Sequence, residues 1–151
     1  MSSFALSGDD SIILNDKVLA DFADANYGEG AFPNDIATVK VGKNGNALFS
    51  QNASGKQFDL TLRMVRGSKD DIMLQGLLTA QDANFAGTTL LAGQVVKRVG
   101  DGKGNLSADT YVLAGGVFNK NVPVTANAEG DTNQSVAVYA LKFSRAARVI
   151  S

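Results

Sequence analysis

The sequence predicts a mainly β fold: a β-sandwich or barrel of about seven or eight strands with one short flanking α-helix. Three observations carry that prediction. Short apolar segments recur with turn residues between them, at the spacing of a sandwich or barrel. In Phe58-Asp59-Leu60-Thr61-Leu62-Arg63-Met64 the side chains alternate, which puts Phe58, Leu60, Leu62 and Met64 on one face. Helical periodicity occurs once, over residues 68–78.

Taken in order, Ile12-Ile13-Leu14, the polar Asn15-Asp16-Lys17 and Val18-Leu19 predict a hairpin within Ser11 to Phe22. Residues 23–35 hold Gly28, Gly30, Pro33 and small polar residues, so an irregular connection is expected rather than a strand. A second hairpin follows, with Ile36 to Val41 as one arm and Ala47 to Gln51 as the other. The Asn44-Gly45 pair between them predicts a type I′ turn. The polar turn Asn52 to Lys56 leads to the strand at Phe58. Ser68 is placed to cap the helix, Asp70 and Asp71 meet the positive end of its dipole, and Ile72, Leu74, Leu77 and Leu78 form an apolar stripe interrupted by Gln75. Strands are expected over Thr88–Val99, Tyr111–Phe118 and Ser135–Ser144, with a glycine-rich turn at Gly100 to Asn105 and a polar loop from Thr125 to Asn133. The chain reads as one domain over 1–151, with extended terminal arms at 1–10 and 145–151.

Composition excludes several kinds of chemistry. An apolar fraction of 44% with 19% charged residues rules out a disordered chain and leaves a lightly charged exterior suited to burial against partners. Fourteen Lys plus Arg against fifteen Asp plus Glu give a formal charge of −1, with no excess of cations to neutralise a phosphate backbone. Cysteine and histidine are both absent, so Ser-His-Asp and Cys-His nucleophiles, disulfides and the common zinc sites are impossible. No stretch approaches the roughly 20 apolar residues of a membrane span, and Met1 to Asp10 lacks a leader's pattern, so no membrane association and no processing are expected.

Each remaining hint of a site has a simpler reading. Gly100, Gly102 and Gly104 lack the Lys-Ser/Thr of a phosphate loop and read as a hairpin tip. Asp9-Asp10 reads as solvated acid and Asp70-Asp71 as a helix start rather than as metal ligands. No catalytic, cofactor-binding or metal-binding residue is assigned. Arg145 and Arg148 either meet an acidic partner or solubilise the chain end, and Val149 and Ile150 beside them call for a partner surface.

The segments Ser11 to Leu19, Val39 to Ala47 and Leu60-Thr61-Leu62-Arg63-Met64-Val65-Arg66-Gly67-Ser68-Lys69-Asp70-Asp71 together resemble the tail tube proteins of contractile-tailed bacteriophages. The likeness spans roughly 11–144. It implies a homo-oligomer in which hexameric rings stack into a tube inside a sheath protein. Tape-measure protein and transiting double-stranded DNA would occupy the lumen without tight binding. It also implies a place in the virion tail after assembly in the host cytoplasm, and needs no cofactor. On this resemblance, Ile36–Gln51, Phe58–Val65 and Thr88–Val99 supply an inner sheet, and Thr38, Lys40, Asp59, Thr61 and Arg63 face the lumen or the subunit seam. The 26–35 loop and the N-terminal segment link rings, and ring-stacking contacts fall to Asn44, Gly45, Arg145, Arg148, Val149 and Ile150. The nearest alternative is the tube of a related contractile injection device, such as a type VI secretion tube or a phage-derived bacteriocin, which the sequence does not discriminate from a phage tail tube. From a different class, a small β-barrel ligand-binding module is the rival.

Overall fold

The structure, a computed structural model, describes residues 5–6, 10–23, 27–124, 126 and 135–150. Among the described residues ten strands, one 3-10 turn and one helix follow one another along the chain. The strands are β1 (Ala5–Leu6), β2 (Ser11–Leu14), β3 (Lys17–Val18), β4 (Gly28–Ala31), β5 (Ala37–Val41), β6 (Ala47–Gln51), β7 (Phe58–Val65), β8 (Leu91–Gly100), β9 (Leu106–Lys120) and β10 (Val136–Ile150). The 3-10 turn covers Ala53–Lys56, and α1 covers Lys69–Ala83. Eight strands form one antiparallel sheet in the order β3-β2-β8-β9-β10-β7-β4, with β1 added on β8, while β5 and β6 form a separate two-stranded sheet. No helix among the described residues is long and apolar enough to cross a membrane.

Alternation builds the core. In β7 the residues Phe58, Leu60, Leu62 and Met64 are buried and the intervening side chains are not. Opposite them in register stand Phe143, Leu141, Tyr139 and Ala137 of β10, all buried, so two complete inner faces meet pair by pair. Ile12, Leu14, Leu91 and Leu113 extend the same cluster, and Leu74 and Leu78 of α1 pack into it. Burying each such leucine contributes about 1.5–3 kcal/mol.

The sheet curls until its two ends share one segment. Residues 17–23 pair with β2 first, through Ile13↔Val18 and Leu14↔Lys17, with the Leu19 N–H donating to the Ile12 carbonyl. The same segment then reaches β7: Phe22 bridges Met64, the Ala23 N–H donates to the Arg63 carbonyl, and the Val65 N–H donates to that of Asp21. The circuit β2-β8-β9-β10-β7 is thereby closed at this end by main-chain bonds, as a barrel. At the other end β4 takes over the pairing with β7, and β4 and β2 share no ladder.

Asp70 holds the closing segment in place. Its carboxylate, 4% exposed, accepts from the Ala20 and Asp21 N–H groups at 2.7 and 3.0 Å and lies 3.7 Å from the Lys17 ammonium. Asp21 returns the contact by accepting from the Asp70 N–H. Ser68 caps α1 as expected, accepting from the Asp71 N–H. Asp71 accepts from the Gly67 N–H and from the buried Tyr139 hydroxyl. At the far end of the helix, Gln81 pairs with both the N–H and the carbonyl of Phe118 on β9.

Several expectations need correction. The 23–35 connection contains β4, because glycine here provides clearance: a Cβ on Gly30 would lie 2.2 Å from the Phe58 ring, and one on Gly28 2.8 Å from Ile12. The last strand runs past Ser144 to Ile150, since β9 begins at Leu106 rather than Tyr111 and pairs with it as far as Ile150↔Asp109. Residues 145–150 are therefore ladder, not a free arm. The helix continues five residues beyond 78, and Ile72, assigned to its apolar stripe, is exposed. Asp10 is not simply solvated: it pairs with Lys97 at 3.1 Å and accepts from the Arg98 N–H. Of the 125–133 loop, only residue 126 lies within the described residues, and Asp9 lies outside them.

Asp70 yields a test of the closure. Burial by itself raises the carboxyl pKa, but the Ala20 and Asp21 N–H donors and the Lys17 ammonium outweigh it and hold the group below its usual value. A lowered folded-state pKa means stability that is present above the unfolded value, about 3.9, and lost as pH falls through the folded one. Asp70→Ala is expected to lower stability by about 1–3 kcal/mol at pH 7, read as a shifted urea midpoint. The gap between variant and wild type should shrink below about pH 4. A gap that is the same at pH 7 and pH 3 would contradict the assignment.

Candidate functional site

The β5–β6 hairpin stands off the barrel on a fixed base. The Asn52 N–H donates to the Ile36 carbonyl to close its root. Asn34 Nδ2 donates to the Ser54 carbonyl and to Gln57 Oε1, and Gly55 is buried where a Cβ would meet Ile36 Cα at 2.7 Å. The tip differs from the type I′ turn expected. Gly45 alone has positive φ, at 83°, the Gly45 N–H donates to the Gly42 carbonyl, and the Gly42 N–H donates to that of Asn46. That is a three-residue loop ending in a glycine bulge.

All ten strand residues of this hairpin are exposed. Its register places Val39 opposite Phe49 and Val41 opposite Ala47, which makes one side of the ribbon apolar, while Thr38, Lys40, Leu48 and Ser50 occupy the other. Phe49 is 72% exposed and Val41 68%. An isolated two-stranded ribbon is marginal in water, and this one leaves its apolar side uncovered.

Two strand edges accompany it. β7 pairs with β10 only as far as Phe58↔Phe143, so among the described residues no strand pairs with that edge of β10 from Ser144 to Ile150. β4 pairs with β7 alone, and its other edge opens on a cleft of about 390 Å³ toward β2 and β8. Phe58, Phe32 and Tyr111 line the cleft as an aromatic cluster, with ring centroids 4.9 Å apart for Phe32–Phe58 and 6.0 Å for Phe58–Tyr111. Asp10, Glu29 and Lys97 stand among its lining residues.

The structure separates the residues that the sequence groups together. Thr38 and Lys40 lie on the hairpin, which shares no ladder with β7, so the expected inner sheet of hairpin, β7 and β8 does not exist within one chain. Asp59, Thr61 and Arg63 share the outward side of β7, half-buried, with Asp59 3.9 Å from Lys142 of β10. Asn44 and Gly45 form the hairpin tip. Arg145, Arg148, Val149 and Ile150 all lie on β10 beyond its pairing with β7. Arg148 makes a two-pronged bond to Asp109 at 2.9 and 2.8 Å. This pair holds the Asp109 carboxyl below its usual range and raises the guanidinium. Arg148 is thus committed within the chain, whereas Val149 and Ile150 remain exposed. The cleft and Glu29 were missed because glycine at 28 and 30 hides the strand that builds them. Among the described residues no group of three or more acids could hold a metal ion.

Comparison with known proteins adds no relative: no protein-family model matches the sequence, and no curated protein matches it.

Gly45→Val is expected to strain the tip by about 1–2 kcal/mol, because only that position needs a left-handed backbone. Asn44→Val should be nearly silent. Hydrogen exchange of the hairpin amides reads both, and equal effects would contradict the bulge geometry.

Proposed function

We propose that this protein is a structural subunit that works by assembling with copies of itself, as the stacked rings of a phage-type tail tube. The observation that carries this reading is the β5–β6 hairpin, a ribbon of exposed residues with an apolar side and a rigid root. A surface of that kind exacts a solubility penalty unless another chain covers it. The edge of β10 beyond Phe143, which has no strand partner among the described residues, supports the same reading, since an open edge is satisfied by strand addition from a neighbour. A formal charge of −1 suits a conduit that must not retain DNA. A sheath outside, tape-measure protein and DNA inside, and residence in the virion tail complete the proposal. A tube passing protein effectors would use the same surfaces.

A ligand-binding module is the second reading, and the aromatic cleft beside β4 favours it. Oligomeric state separates the two. Negative-stain microscopy of purified protein should show rings or hollow rods of uniform width, and particles that remain single at high concentration would overturn the proposal. Phe49→Asp should abolish assembly with little change in the thermal midpoint, because Phe49 makes no part of the buried core. Assembly unaffected by Phe49→Asp would remove the hairpin from the interface.

A further inference from the structure

The cleft and the hairpin answer one another in polarity, open strand edges and charge. The cleft is walled by the outer edge of β4, whose Gly28 and Gly30 lie against Ile12 and the Phe58 ring, and by β2 and β8 opposite. Its interior is aromatic, from Phe58, Phe32 and Tyr111, with Val95 on the far wall. At its rim Asp10 is bonded to Lys97 at 3.1 Å, while Glu29 is exposed and has no hydrogen-bond or ion partner among the described residues. The cleft therefore presents an apolar slot, an unpaired strand edge and one uncompensated negative charge. From Ile36 to Gln51 the hairpin carries Lys40 and Lys43 and no acid at all. It presents an apolar side, two unpaired strand edges and two positive charges. None of its residues lines the cleft of its own chain.

We propose that the cleft between β4 and β2–β8 is the socket for the β5–β6 hairpin of a second copy of this chain. In this contact the Phe49 and Val39 side enters the slot, an outer strand of the ribbon pairs along β4 from Gly28 to Ala31, and a hairpin lysine meets Glu29. Strand addition supplies main-chain bonds, the slot supplies selectivity for a large apolar side chain, and the charge pair sets orientation. Hairpin and socket are different patches of the same molecule, so the contact is heterologous. Repeated head to tail, it generates a ring if the rotation closes and an open filament if it does not. The proposal rests on the self-assembly reading and specifies the receiving surface.

A mixing experiment tests it. Three variants are prepared: Phe49→Asp to disable the hairpin, and Val95→Trp and Glu29→Arg as independent ways to disable the socket. Glu29 is exposed, so Glu29→Arg keeps the test valid should Val95→Trp misfold. By sedimentation velocity wild type should run as an assembly and each variant alone as a monomer. An equimolar mixture of Phe49→Asp with either socket variant should give one-to-one pairs, because one intact hairpin and one intact socket remain between them. The chain has no cysteine, so Phe49→Cys mixed with Val95→Cys should also form a disulfide-linked dimer free of background. If wild type assembles and Glu29→Arg assembles equally well, or the mixture stays monomeric, the socket is elsewhere and self-assembly still stands. If wild type itself is a monomer, the self-assembly reading fails as well.

Discussion

Residues 17–23 pair with β2 at their start and with β7 at their end, and the sheet can curl into a barrel only because one short segment serves both edges. Lys17 and Val18 make two ladder pairs, too few to be stable on their own. The segment is held from outside by the first turn of α1, through the Asp70 carboxylate and its two main-chain donors. That bond ties three parts together: the helix that follows β7, the hairpin that precedes it, and the core on which both rest. The buried acid is held as an anion by two main-chain donors on Oδ2 and by the Lys17 ammonium 3.7 Å from Oδ1. With the barrel closed there, β4 is left to pair on one side only, and the cleft opens beside it.

The core and the hairpin divide the chain's apolar residues between two destinations. Leu60, Leu62, Tyr139, Leu141 and Phe143 are buried to within a few per cent, and they make the barrel self-sufficient. Val39, Val41, Leu48 and Phe49 are as apolar and as regularly patterned, yet they gain nothing from that core. Scattered exposed side chains need no explanation, but Val39, Val41 and Phe49 on one side of a single ribbon form a contiguous surface, with Leu48 on the other side. Shape follows the same division, with a barrel closed at one end around the core and a projecting blade available to a neighbour.

Much of this was legible in the sequence, and the failures share a cause. The hairpins at Ile12–Leu19 and Ile36–Gln51, the alternating strand at Phe58 and the Ser68 cap are local patterns, and the structure contains all of them. Features set by distant partners were not legible. Gly28 and Gly30 argue against a strand until Phe58 and Ile12 are known to lie over them. Asp70 looks like any acid in a first turn until the Ala20 and Asp21 amides arrive from 50 and 49 residues away. The length of β10 depends on β9 beginning at Leu106, and nothing near Arg145 announces that pairing. Thr38 and Lys40 fall on one sheet and Asp59, Thr61 and Arg63 on another, because strand alternation fixes the face of a sheet but not which sheet a strand joins.

The account turns on whether a sister molecule covers the apolar side of the hairpin. Hydrogen–deuterium exchange at the amides of Val39 to Val41 and Ala47 to Phe49, followed from dilute to concentrated protein, reads that directly. Protection there should rise with concentration while the β7 and β10 amides, already shielded in the barrel, stay constant. Exchange at the hairpin that remains fast and unchanged across the whole range would contradict it.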